Sequence, residues 1–201
     1  MKSILVELTC HQCMYHTYRK SETLILSEFE TNARKDLLND DFFTMKCPRC
    51  GNLIEFIHPL AYVDTIHKFI LLIKSRKDFK VEDHNLYADD CDSRKRFIYK
   101  HQDIGEKIRI FEDGMDDRAI EIIKYKIKQV HLQKQREIQA IQYHDKDHAT
   151  QTIWFEVQID NIKDMLAITM EAYQRIKSTV PNEDTLQYTC VDEQWVQSNI
   201  I

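Results

Sequence analysis

The chain has 201 residues, enough for one sizeable domain or two small ones, and its 43% hydrophobic and 30% charged residues are those of an ordinary globular protein with a real core. Its three glycines, Gly51, Gly105 and Gly114, cannot build a phosphate-cradling loop, which excludes the Rossmann, P-loop and kinase patterns. A net charge of −5 argues against a broad basic face, so the basic runs Arg94–Arg96 and Lys124–Lys128 are read as solvated surface.

In chain order, residues 2–9 are rich in Ile, Leu and Val and read as a strand entering Cys10. His16–Leu26 reads as a strand or hairpin. Glu28–Asp40 reads as a short helix with Phe29, Ala33, Leu37 and Leu38 on one face. Phe42–Lys46 is expected to be a strand entering Cys47. Leu53–His58 and Ala61–Ile73 are expected as strands broken by Pro59. Residues 74–96 are polar and charged and mark a loop or boundary, and Phe97–Tyr99 follows as a short strand. Gln102–Glu112 predicts a helix with Gly114 as its C-cap, and Asp116 or Asp117 caps a longer helix to about Gln135. The apolar stripe of that helix is Ala119, Ile120, Ile123, Ile127 and Val130. Residues 137–144 and 151–159 are expected to pair as strands. Ile162–Ser178 predicts a second amphipathic helix carrying Ile162, Leu166, Thr169, Tyr173 and Ile176. A strand near Gln187–Val191 and a Trp195 docked on the core complete the chain.

The chemistry lies in two C-x2-C pairs, Cys10-His11-Gln12-Cys13 and Cys47-Pro48-Arg49-Cys50-Gly51. A C-x2-C turn sets two thiolates on one side of a tight knuckle, and two facing knuckles complete a tetrahedral S4 site with Zn–S near ~2.3 Å. Proline stiffens the second knuckle and lets backbone N–H groups aim at its first sulfur, while Gly51 allows the left-handed exit. Met14 stands where the first knuckle would usually have glycine, and the 33 residues from Met14 to Lys46 must hold folded structure of their own. Four sulfurs close the shell, which favours a structural ion over a catalytic one with an open water position. Iron can use the same ligands, and a redox pair is the alternative for a single CxxC. Cys91 and Cys190 stand alone and are read as plain thiols.

On CHQC at 10–13, CPRCG at 47–51 and their spacing, the sequence resembles the CpXC family of bacterial and archaeal proteins. HPLAYVDTIHKFILLI at 58–73 and EKIRIFEDGMDDRAIEIIKYK at 106–126 extend the likeness over roughly the first 130 residues. The resemblance implies a zinc-binding domain and transfers no catalytic residue. His11 departs from the proline that the family's name implies, which affects the stiffness of that knuckle and removes no ligand.

Three polar clusters are weighed as cation sites and read as structure instead. Glu112, Asp113, Asp116, Asp117 and Glu121 suit a helix end followed by a helix start. Asp83, His84, Asp89, Asp90 and Asp92 suit a solvated loop, and His144, Asp145, Asp147 and His148 a polar hairpin turn.

The expected architecture is α+β. A zinc-ribbon-like β unit with an inserted helix spans residues 1–75, and an α+β region with two long amphipathic helices spans 80–201, with a single shared core left open. The expected function is that of a non-enzymatic module that holds one structural Zn2+ on Cys10, Cys13, Cys47 and Cys50 and recognises another protein. A nucleic-acid-binding regulator, whose binding would depend steeply on salt, is the alternative; an enzyme with a pocket between the halves is the third. With too short an N-terminal apolar run for a signal peptide and no stretch of about 20 apolar residues, a cytoplasmic protein is expected. Thiols stay reduced there.

Overall fold

The computed structural model describes residues 3–74, 92–182 and 187–200. Cys91, Asp83, His84, Asp89 and Asp90 lie outside the described residues. The chain is α+β and divides into two compact units, Met1–Gly105 with Asp184–Thr189 and Glu106–Glu183 with Cys190–Ile201.

The first unit is built from two knuckled hairpins and a mixed sheet. Strand β1 (Ser3–Thr9) pairs antiparallel with β2 (His16–Glu22), from Ser3↔Glu22 to Thr9↔His16. Strand β3 (Leu24–Leu26) leads into helix α1 (Thr31–Leu38). Only Leu37 of α1 is buried, and Phe29 lies ahead of the helix, 77% exposed, so the apolar face expected over Glu28–Asp40 shrinks to its C-terminal turn. Strand β4 (Thr44–Lys46) pairs antiparallel with β5 (Leu53–Glu55) to make the second hairpin.

The stretch expected as a strand over Ala61–Ile73 folds as β6 (Leu60–Asp64) and β7 (Phe69–Ile73), an antiparallel pair with a tight turn between them. Asp64 closes that turn, its carboxylate accepting from the His67 backbone N–H at 2.7 Å. Both strands are buried along their whole length, as continuous apolar runs at the centre of a sheet should be. The sheet order is β3-β6-β7-β8, with β8 (Arg94–Ile98) parallel to β7.

The basic run Arg94–Arg96 is therefore not solvated surface. Lys95 and Arg96 are 0% exposed, because β8 lies between β7 and a bridge from Arg96 to Thr189. The Arg96 guanidinium donates to the Lys95 carbonyl at 3.0 Å. Pairing of the strand on both edges overrode the polarity of its side chains.

Helix α2 (Asp103–Glu112) ends in a Schellman motif: the Met115 N–H reaches the Ile110 carbonyl at 2.9 Å and the Gly114 N–H that of Phe111 at 3.0 Å. The second unit continues with α3 (Asp117–Gln133), capped by the Asp116 carboxylate, which accepts from the Arg118 N–H. Ala119, Ile120, Ile123 and Ile127 are buried as the stripe predicts, whereas Val130 is exposed. Strands β9 (Ala140–Asp147), β10 (Thr152–Ile159) and β11 (Ile162–Thr169) form an antiparallel meander.

The long helix expected over Ile162–Ser178 is a strand followed by the short helix α4 (Met170–Lys177). Asp160 and Asn161, with φ of 52° and 63°, make a two-residue turn that sends the chain back along β10. Ile162 and Leu166 satisfy a period of two as well as a helical stripe, Ile168 fits the strand alone, and the turn decides for the strand. Thr169 then caps α4, accepting from the Ala172 N–H. At the end, α5 (Glu193–Asn199) buries Val196, leaving Trp195 half-buried.

Lys124 is also not solvated: it donates to Glu106 at 2.9 and 3.0 Å and to Glu121 at 3.1 Å. Lys107 donates to Asp117 at 3.0 Å, to the Val191 carbonyl at 2.9 Å and more distantly to Glu121. The Tyr143 N–H donates to Glu106 at 2.6 Å. These buried charges tie α2, α3, β9 and the approach to α5.

Two packing details yield predictions. A Cβ on Gly105 would sit 3.0 Å from the Leu37 carbonyl oxygen and 3.3 Å from the Leu38 Cα, both rigid backbone. Gly105→Ala is expected to lower stability in urea titrations, because overpacking costs about 1–3 kcal/mol against the ~1 kcal/mol of helix propensity that alanine adds. His58 is buried among Phe42, Phe43 and Phe56, its Nδ1–H donating to the Pro59 carbonyl and its Nε2 accepting from the Ser21 hydroxyl. Burial, with Arg19 adding, outweighs that bond and the Glu22 charge and holds the pKa below the ordinary histidine value. The stabilisation of a neutral ring is fully present above about pH 6.5 and is lost as pH falls through the depressed folded value. Wild-type stability should fall more steeply than that of His58→Gln, which does not titrate, as pH drops below about 6.5, read from urea titrations at several pH values.

Candidate metal centre

Each cysteine pair sits at the tip of one hairpin of the first unit. Cys10–Cys13 links β1 to β2, and Cys47–Cys50 links β4 to β5. The two tips have the same backbone plan. The Met14 N–H bonds the Cys10 carbonyl at 2.8 Å, and the Gly51 N–H bonds the Cys47 carbonyl at 2.9 Å. The next bond closes each loop, from Cys10 N–H to the Tyr15 carbonyl and from Cys47 N–H to the Asn52 carbonyl.

Met14 and Gly51 both take left-handed backbone, at φ 56° and 74°. The first knuckle thus keeps the ribbon geometry without the usual glycine, at the steric cost of a side chain there.

The four sulfurs converge. Cys10 and Cys50 stand 3.6 Å apart, Cys13 and Cys47 likewise, and all four lie within 4.8 Å of one another. A tetrahedron with metal–sulfur bonds of about 2.3 Å has sulfur–sulfur edges of about 3.8 Å, whereas a disulfide needs about 2.05 Å. The spacing fits ligation of one ion. Cys10 and Cys47 are buried, Cys13 is half-buried and Cys50 faces solvent, so the site lies just beneath the surface at the hairpin tips.

The electrostatics agree with the donor set. Burial, reinforced by the Cys50, Cys47 and Cys10 thiols, pushes the Cys13 thiol up to about 12. At Cys47 burial acts the same way but is outweighed by the Cys50 and Arg49 backbone groups aimed at its sulfur, and the pKa falls to about 7. That is the role the stiff CPxC turn suggested. Four thiols this close cannot all ionise against one another; a dication is the group that lets them.

The other polar clusters resolve into structure. Asp116 caps α3 and grips Arg118 through both carboxylate oxygens, at 3.0 and 2.7 Å. Asp113 accepts from the Tyr143 hydroxyl, and Asp117 and Glu121 hold Lys107. His144, Asp145 and Asp147 lie in β9 rather than in the turn, which begins at His148. The Asp147 carboxylate serves that turn, accepting from the Thr150 hydroxyl and from the Ala149 and Thr150 N–H groups. Asp92 meets Lys68 at 3.7 Å on the surface. Cys190 belongs to the second unit, with its sulfur 3.5 Å from Asp192. Reading the sequence missed Glu106, Lys107 and Lys124 as a buried ionic group; the only trace was their place in the 106–126 stretch.

Two knuckled hairpins closed on four sulfurs define a zinc-ribbon-like, metal-binding module. The chain belongs to the CpXC protein family, whose profile matches residues 8–124, more than half its length. Comparisons with curated proteins and with solved structures gave no match. The matched span contains all four cysteines and the whole Glu106–Lys124 ionic group.

Glycine at position 14 should relieve the first knuckle. Met14→Gly is expected to raise the stability of the metal-loaded protein by about 0.5–1 kcal/mol, the left-handed cost exceeding the added chain entropy. Thermal unfolding beside the wild type checks this.

Proposed function

We propose that the protein is a non-enzymatic interaction module whose first unit is held together by one structural Zn2+ on Cys10, Cys13, Cys47 and Cys50, and which acts by recognising another protein. The observation that carries the metal reading is the convergence of all four sulfurs at tetrahedral spacing. When bound, zinc supplies a redox-inert dication that keeps thiolates deprotonated and turns binding energy into folding energy.

Four sulfur ligands fill the shell and leave no position for a reactive water, which supports a structural role. The interaction role is supported by what the hairpins leave uncovered: Leu5, Met14 and Tyr18 on the first and Leu53 on the second are exposed. Leu5 and Tyr18 lie on the same face of the β1–β2 ribbon, on which Leu5 stands opposite Lys20 and Tyr18 opposite Glu7. Apolar side chains grouped beside a rigid turn are the usual material of a protein contact. No helix among the described residues is long and apolar enough to cross a membrane.

Elemental analysis of protein purified without chelator should find about one zinc per chain, and Cys47→Ser should lose the metal and unfold at a lower temperature. A folded, soluble protein without metal overturns the reading, and iron in place of zinc corrects the ion.

A further inference from the structure

We propose that the open edge of β11 pairs with β11 of a second copy of this chain, joining two three-stranded meanders into one continuous sheet. In the meander, β10 is central and β11 is an edge with no partner on its far side among the described residues. It is eight residues long, Ile162–Thr169, without proline. The register irregularity of the sheet falls between β9 and β10, so nothing twists β11 out of line.

Edge strands are ordinarily blunted by an outward lysine, a proline, a bulge or a cover. The lysine of β11, Lys163, is drawn back over the sheet to Glu156 on β10, at 2.8 Å, away from the open side. Every residue of β11 is exposed or half-buried, while β10 beside it alternates with buried Ile153, Phe155 and Val157. Ile162 is 70% exposed and Met165 is exposed too.

The register shows which backbone groups are open. Ile159 and Ile162 flank the two-residue turn and face each other as its first bonded pair, so Ile162, Asp164, Leu166 and Ile168 point their N–H and C=O groups at β10. Lys163, Met165 and Ala167 point theirs outward, where the Met165 N–H is met by the Asp164 carboxylate at 2.8 Å.

The occupant follows from the sequence of the edge itself. A two-fold axis normal to the sheet pairs β11 with its copy antiparallel. Centred on Met165, it sets Ile162 opposite Ile168, Lys163 opposite Ala167 and Asp164 opposite Leu166, so no like charges meet. The outward groups of Lys163 and Ala167 gain partners, and the Met165 N–H exchanges the Asp164 carboxylate for the carbonyl of its copy. Shifting the axis to Lys163 or Asp164 would oppose lysine to lysine or aspartate to aspartate, which fixes the register near Met165. The row Ile162, Leu166, Ile168 continues the apolar face of Ile153, Phe155 and Val157 across the joint. The strand is thus self-complementary, with charge at one end and apolar residues in the middle. A joint of this size is smaller than a standard interface of roughly 1,200–2,000 Å2, and a dissociation constant of about micromolar is expected.

Sedimentation equilibrium of the full, metal-loaded chain over a hundred-fold concentration range tests this. The wild type should shift from monomer to dimer. Met165→Lys, which places charges opposite each other at the axis, and Ala167→Pro, which removes an outward N–H that β10 does not use, should each weaken dimerisation at least ten-fold with circular dichroism unchanged. Hydrogen exchange on the wild type gives a reading independent of variants: residues 162–169 should gain protection on concentration. A monomer at every concentration overturns the proposal and leaves the edge to a strand of another protein. A dimer that ignores both substitutions, with no gain of protection at 162–169, overturns it as well.

Discussion

Four sulfur atoms within 4.8 Å of one another are an electrostatic problem that the first unit must solve before anything else in it makes sense. As bare thiols they compete for protons, with Cys13 driven up and Cys47 held down by the groups around them. A bound dication would remove the conflict and fasten two hairpins that are far apart in sequence. The constraint reaches outward from the tips. The chain leaving Cys13 must return to Cys47, and it does so through β2, β3, α1 and β4, placing β3 against β6 at the edge of the mixed sheet. His58 and the Phe42, Phe43 and Phe56 rings fill the space this return encloses.

The second unit depends on a different device. Glu106, Lys107, Asp117 and Glu121 are buried and Lys124 nearly so, three carboxylates against two ammonium groups. Burial raises the Glu106 pKa against the pull of Lys124, and at Lys107 burial is outweighed by Asp117 and Glu121, which hold its pKa up. Removing one member would strand a buried charge at about 3–5 kcal/mol, whereas an apolar set of the same volume could be equally stable. The charges come from α2 and α3, and β9 adds the Tyr143 N–H to Glu106.

The four cysteines could supply every ligand of one metal ion, and the ionic group is satisfied internally by side chains, the Val191 carbonyl and the Tyr143 N–H. Exposed in the two units are the apolar residues of the knuckled ribbon and the edge strand β11, and the CpXC match spans the four cysteines and the ionic group together.

The sequence by itself determined the two cysteine knuckles, because C-x2-C spacing is a local property of a turn and CPxCG carries its own conformational instructions. It also indicated the Gly114 cap, narrowed the α3 cap to Asp116 or Asp117, and placed the α3 stripe except Val130, each of which depends on neighbours within a turn or two. Tertiary structure decided the rest. Arg94–Arg96 reads as surface until β7 and Thr189 are seen on either side of it, and Lys124 reads as solvated until the Glu106 and Glu121 carboxylates are seen around it. Ile162–Thr169 fits helix and strand equally well by period. Only pairing with β10 breaks that tie, because a strand's stability lies in a partner that local sequence does not contain.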